Sequence, residues 1–218
     1  APVQETKKHS LAMFRRQHAE SVALLGSHLR LYQVHSATLD SGVLDDEALL
    51  RALADLPRTG VAVGLTVSGP RQGDVVRRAL DVEVDGANPF TSVQATWNLL
   101  EPSAGPALAE AHGRGWGVIV KEALANGRLS ASAPEGEAGA ARRVAGRLGV
   151  PVETVAVAAA LHQPWAHVVL SGAVRPEQLA TGLAALDMAL PSEERERLAG
   201  MAEPPDEYWR RRAELPWH

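Results

Sequence analysis

Gly117-Val118-Ile119-Val120-Lys121-Glu122-Ala123-Leu124-Ala125-Asn126-Gly127 is the stretch on which the reading of this chain turns. It opens as a short, continuous apolar run rich in β-branched residues. Such a run suits a strand covered on both faces, as in a parallel sheet. It then turns polar and closes on Asn-Gly, a turn signal. The same order recurs along the chain. Apolar runs at 29–34, 61–66, 91–94 and 168–170 read as strands, with a weaker one at 3–6. Helix-like segments lie between them, at 11–25, 44–56, 70–79, 104–112, 135–148, 153–161, 176–186 and 192–201. Gly26 follows the first as a C-cap. Asp45-Asp46-Glu47 opens the second, where acidic residues favour a helix N-terminus. The Pro- and Trp-rich segment 202–218 reads as a C-terminal tail.

Strands alternating with helices at this spacing imply right-handed βα units and a parallel sheet. Two architectures compete, an open doubly wound sheet and a closed (β/α)8 barrel. No Gly-x-Gly-x-x-Gly follows a strand, which weighs against a dinucleotide-binding Rossmann fold. A barrel needs eight strands and typically ~250 residues. The chain has 218 residues, begins at Ala1 and offers five good strands with one weaker. The expectation is one domain over 1–218, an incomplete (β/α)8 TIM-barrel type carrying about strands 3 to 8, with the deficit at its start.

Composition narrows the partners. The net charge is −4, and Lys and Arg are interspersed with Asp and Glu. No basic stripe marks a nucleic-acid partner. No apolar run reaches the ~20 residues that span a bilayer, so no membrane partner is expected. Cysteine is absent. Disulfides and thiolate metal sites are excluded, and a cytoplasmic location is expected. His112, His162 and His167 lack metal-ligand spacing with one another, and no metal site is expected. Trp165, Trp209 and Trp217 fit core or tail-docking roles, since Trp buries a large area.

Polar residues gather at the C-terminal ends of the strands, where barrels and open α/β sheets place their chemistry. His35, Thr66, Gln94, Lys121 with Glu122, and Ser171-Gly172-Ala173 each end a strand. The chain then resembles the aldo-keto reductases. The resemblance rests on Leu31-Tyr32-Gln33-Val34-His35, Val63-Gly64-Leu65-Thr66, Ser92-Val93-Gln94, the stretch 117–127 and Ser171-Gly172-Ala173-Val174-Arg175-Pro176-Glu177-Gln178-Leu179. These look like the strand-4 to strand-8 motifs of that family, over residues 6–190. The resemblance implies a (β/α)8 barrel binding NADP(H), with NAD(H) as the other candidate. It implies hydride transfer between nicotinamide and a small carbonyl or alcohol substrate, with proton donation from a tyrosine tuned by lysine, aspartate and histidine. A nearby ammonium favours ionised tyrosine and lowers its pKa. A general acid beside the developing alkoxide lowers the barrier.

Carried over by position, His35 and Lys7 are the candidate catalytic residues. Thr66 and Gln94 are implied to meet the nicotinamide amide. Lys121 stands where many members have a tyrosine that stacks on the nicotinamide ring. Leu124, Asn126 and Gly127 match the loop along the pyrophosphate, and 130–139 reads as a flexible loop beside it. Ser171, Gly172 and Ala173 match the turn at the adenosine phosphate, with Arg175 and Gln178 where a 2′-phosphate is read. The chain departs from the pattern at Val67, Val174 and Gly182, where Asn, a basic residue and Asn are usual. It holds only two tyrosines, Tyr32 and Tyr208. Residues 31, 33 and 35 share one strand face, so Tyr32 points the other way. Tyr208 falls in the tail. The family's catalytic Tyr and Asp come from its first two βα units.

Two functions therefore stay open. One is an NADP(H)-dependent oxidoreductase whose Tyr and Asp are absent from this chain. The other is a non-catalytic nucleotide-binding, regulatory or structural subunit derived from that family. An incomplete barrel has free strand edges and an uncovered apolar face, which invite self-association.

Overall fold

The computed structural model describes residues 8–134 and 136–215. The weak strand at 3–6 and Lys7 lie outside the described residues. The core is a parallel sheet in the order β1-β2-β3-β4-β5, with β1 Leu31–Ala37, β2 Ala62–Val67, β3 Ser92–Thr96, β4 Gly117–Lys121 and β5 Val168–Val169. Every pairing is parallel and sequential. Helices fill the crossovers: α2 Glu47–Ala54, α3 Gln72–Leu80, α4 Gly105–Gly113, then α5 Gly139–Leu148 with α6 Val152–Leu161. α1 Leu11–Leu25 precedes the sheet, and α7 Pro176–Leu183, α8 Ser192–Ala199 and α9 Pro205–Glu214 follow it. This is a segment of a (β/α)8 barrel. Val63, Leu65 and Val67 of β2 and Val93 and Ala95 of β3 are fully buried, as the apolar runs require of strands covered on both faces.

Local chemistry sets the boundaries. Ser10 caps α1 by accepting from the Met13 amide, and Gly26 ends it. Asp46 caps α2 by accepting from the Leu49 amide at 3.0 Å, so the helix starts after 44–46, later than the leucine spacing predicts. It also ends earlier, passing into a 3-10 turn at Leu56–Thr59. The 176–186 helix likewise tightens into a 3-10 turn at Ala184–Leu186. Within 202–218 lies α9, with Pro at its start, Asp206 and Glu207 in the first turn and Arg211 and Arg212 in the last. That charge order suits the helix dipole. Gly64 is required by close approach, since a Cβ there would stand 2.2 Å from Ser92 Oγ.

Among the described residues no single helix is long and apolar enough to cross a membrane. The exposed large apolar side chains sit at the two ends of the strand order. Val22, Leu24 and Leu25 are on α1, and Val168, Leu170, Val174, Leu179 and Leu183 are on and after β5.

Candidate active site

β1 does not run straight to its end. Its register against β2 shifts between Val34 and Ala37, and Ser36 between them takes a left-handed φ of 48°. Such bulges re-aim side chains beside functional sites. The bulge is held by Thr66, whose Oγ1 accepts from the Ser36 amide at 2.7 Å. His35 emerges exposed, its Nε2 3.1 Å from Ser36 Oγ and its carbonyl 2.7 Å from His9 Nε2. A cleft of about 170 Å³ lies beside β1, lined by His9, Phe14, Tyr32, Gln33 and His35 among others. Of the described residues predicted for the site from sequence, only His35 borders it.

Strand register places the other predicted residues along one rim. Thr66 stands beside Gln94, and Thr96 beside Lys121. Gln94 is half-buried, and no hydrogen bond to its side chain occurs among the described residues. Lys121 is half-buried, and its carbonyl accepts from the Trp97 amide at 3.4 Å. Beyond it Glu122, Ala125 and Asn126 all have positive φ (59°, 48° and 53°), and Gly127 follows at 91°. Left-handed backbone costs of order 1 kcal/mol per non-glycine residue and concentrates at functional sites. Asn126 is exposed and donates from Nδ2 to Glu122 Oε2 at 3.3 Å.

The β5 exit is open. Ser171, Gly172 and Arg175 are exposed, and Ser171 Oγ accepts from the Ala173 amide. Gln178 Oε1 accepts from the amides of Val174 and Arg175, capping α7. The Arg175 guanidinium makes no ion pair among the described residues.

Neither tyrosine stands at the C-terminal end of a strand. Tyr32 packs edge-on against Phe14 and His18 of α1 and borders the same cleft as His35, although strand alternation predicts opposite faces for the two. Tyr208 is fully buried, Asn98 Nδ2 donates to its oxygen at 3.0 Å, and burial pushes its hydroxyl well above the usual phenol range. A phenol so placed holds its proton and has no route to a substrate.

The structure also assembles polar networks that sequence reasoning missed. Gln72 is fully buried at the start of α3 and brackets Thr96. Its Nε2 donates to the Thr96 carbonyl at 2.9 Å, and its Oε1 accepts from the Thr96 amide at 3.1 Å. Glu101, also fully buried, accepts on Oε1 from Ser103, Gln72 and Trp209. Burial raises its carboxyl above the ordinary value, against the pull of those donors. Arg128 is paired with Glu137 and Glu203, and Arg211 with the same two carboxylates. The 130–139 loop, expected to be flexible, is therefore tied down at Glu137. Arg142 adds bonds to the carbonyls of Ser130, Ala131 and Ala133. The one signal for these networks was the Arg210-Arg211-Arg212 run after Asp206-Glu207, a helix signature read as tail. Trp165 stacks edge-on with Trp97 in the core, as expected.

Comparison with known proteins agrees with this layout. A family model, the aldo/keto reductase family, matches residues 3–203. No curated protein matches the chain closely enough to count as a relative. Among solved structures, the holo form of aldo-keto reductase AKR11C1 from Bacillus halodurans superposes with a TM-score of 0.69 at 20% identity, covering 92% of this chain and 69% of that one. The thermostable aldo-keto reductase Tm1743, in complex with the inhibitor epalrestat, gives a TM-score of 0.67 at 20% identity, covering 89% and 67%. With a strand order, a polar rim and a family match over most of its length in agreement, the chain belongs to the aldo/keto reductase family.

Proposed function

We propose that this chain supplies the cofactor-binding part of an NADP(H)-dependent oxidoreductase acting on a small carbonyl or alcohol substrate. NAD(H) is the alternative cofactor, and a cytoplasmic site of action belongs to the same proposal. One observation carries the reading. Polar groups on the rim that the protein leaves uncommitted match the groups of a nicotinamide dinucleotide. The half-buried Gln94 amide has no hydrogen-bond partner among the described residues and suits another amide. Thr66 still has its hydroxyl proton to donate, since its oxygen serves Ser36 as acceptor. The exposed Arg175 guanidinium suits a phosphate. The left-handed loop after β4 and the Ser171-Gly172-Ala173 turn would hold the phosphates, and Lys121 would lie beside the ring without stacking on it.

When bound, the cofactor supplies or accepts the hydride. The chain's own residues orient the reactants. His35, exposed beyond the β1 bulge, would donate to the substrate oxygen and stabilise charge developing there. Lys7 is proposed to tune the proton donor. Neither tyrosine is assigned as the donor, since Tyr208 is buried against Asn98 and the Tyr32 ring is packed on α1. That commitment favours a second reading, a nucleotide-binding subunit of this family without turnover.

Titration of NADPH against the five tryptophans, followed by an aldehyde-reduction assay, separates the two. Binding with turnover supports the oxidoreductase. Binding without turnover supports the second reading, and no binding overturns the cofactor assignment. His35→Ala should lower turnover far more than binding; equal losses would make His35 structural.

A further inference from the structure

The loop assigned above to the pyrophosphate is built around an acid. Glu122 follows directly on β4, its side chain only 13% exposed. Its carbonyl accepts from the Ala125 amide at 2.8 Å and from Asn98 Nδ2 at 3.0 Å. Its carboxylate accepts from Asn126, the exposed residue of the loop. A bare carboxylate at this place would repel a phosphate chain and weaken its binding, because like charges in a half-buried setting are poorly screened.

The charge is answered from far away in the sequence. Arg212, in the last turn of α9, meets Glu122 with two prongs, Nη2 at 2.5 Å from Oε1 and Nε at 2.9 Å from Oε2. Bidentate pairing fixes geometry as well as charge. Burial by itself would raise the Glu122 carboxyl, but the Arg212 bonds and charge, with smaller help from the Lys121 charge and the Asn126 bond, outweigh it and hold the group below the usual range. α9 is seated for this task. Tyr208 binds Asn98, the same residue that holds the Glu122 carbonyl, and the Arg212 guanidinium lies 5.1 Å over the Trp209 ring.

We propose that Arg212 is a positioning residue for dinucleotide binding. It neutralises Glu122, so that a helix about 90 residues downstream in sequence sets the affinity for the cofactor phosphates. The inference rests on the cofactor reading above.

The test uses NADPH itself, titrated by tryptophan fluorescence, with thermal midpoints recorded for each variant. Arg212→Met keeps the stem against Trp209 and removes the charge. It should weaken NADPH binding by about tenfold, the size of one uncompensated charge near a phosphate, and more at low salt than at high. The double variant Arg212→Met/Glu122→Gln should recover to within about threefold of the parent, since the repulsive charge is gone. Glu122→Gln alone should bind as well as the parent or better. Wild-type affinity in Arg212→Met, or a double variant as weak as Arg212→Met, would overturn the inference. Should Arg212→Met fail to fold, Glu122→Gln still decides, because weaker binding there contradicts a repulsive role. If the parent chain itself does not bind NADPH, the cofactor reading falls and this inference with it.

Discussion

Gln72→Leu is the sharpest perturbation of the frame beneath the rim. The β2–β3 ladder ends at Thr66 and Gln94, because the chain leaves β2 at Val67 and turns through Gly69 with a φ of 95°. Thr96, two residues further along β3 and fully buried, has no β2 neighbour for its amide and carbonyl. The Gln72 carboxamide takes that neighbour's place, donating and accepting as a peptide group would. Leucine has nearly the same volume, so the change opens little cavity. It leaves a buried N–H and a buried C=O unpaired, each costing about 1–3 kcal/mol, and the Glu101 carboxyl loses a donor. Some relaxation is expected, and the net loss should be about 3 kcal/mol. For a chain of this size that lowers the melting midpoint by about 6–12 °C. Urea unfolding followed by tryptophan fluorescence measures it, with an unchanged slope against denaturant as the sign that the native fold persists. A loss below about 1 kcal/mol would refute the claim that Gln72 completes the ladder. Gln72→Glu should be worse than leucine, since it cannot donate to the Thr96 carbonyl and faces Glu101.

Three further outcomes follow from the same structure. Glu203 and Glu101 should give pH dependences of opposite sign in denaturation at a series of pH values. Burial pushes Glu203 up, but Arg128 and Arg211 outweigh it and hold its carboxyl low, so its contribution is present above the ordinary carboxylate range and lost as pH falls below it; Glu203→Gln should flatten that acid limb. Glu101 is raised by burial, so ionising it costs stability as pH climbs above the ordinary carboxylate range, and Glu101→Gln should gain on the parent as pH rises through it. Tyr208→Phe should cost about 1 kcal/mol for the Asn98 bond; unchanged stability in urea unfolding would show that the bond does not help to seat α9. Light scattering at micromolar concentration should find self-association, because β1 and β5 end the described strand order and apolar side chains cluster beside both; a clean, stable monomer would rule it out.

Much of the fold was legible because its signals are local. The 11–25 helix ends where Ser10 and Gly26 put it, and the strands fall on the apolar runs, since continuous apolarity and turn residues act over a few positions. The misses share a physical cause. Asp46 moves a helix start by capping, which leucine spacing does not register. The β1 bulge depends on a Thr66 hydroxyl on another strand. α9 was hidden by two prolines that belong at a helix start as readily as in a tail.

The same distinction sorts the candidate site. Strand-end position placed Thr66, Gln94 and Lys121 on one rim, because parallel register carries each strand end to the same side of the sheet. What position alone does not reveal is whether a side chain is still available. Thr66 and Gln178 have already given their oxygens to backbone amides, and Asn126 gives its amide to Glu122. Among the described residues Gln94 and Arg175 have not been claimed in this way. The claims are long-range: Asn98 reaches Tyr208 across 110 residues and Glu101 reaches Trp209 across 108. Both end on α9, as do the pairs from Glu122, Glu137 and Glu203. One helix thus holds the exits of both β3 and β4. Loosening it, by truncation before Pro205, should cost the rim its geometry before it costs the sheet its strands, since α9 puts one fully buried side chain, Tyr208, into a core otherwise built by β2 to β4 and their helices.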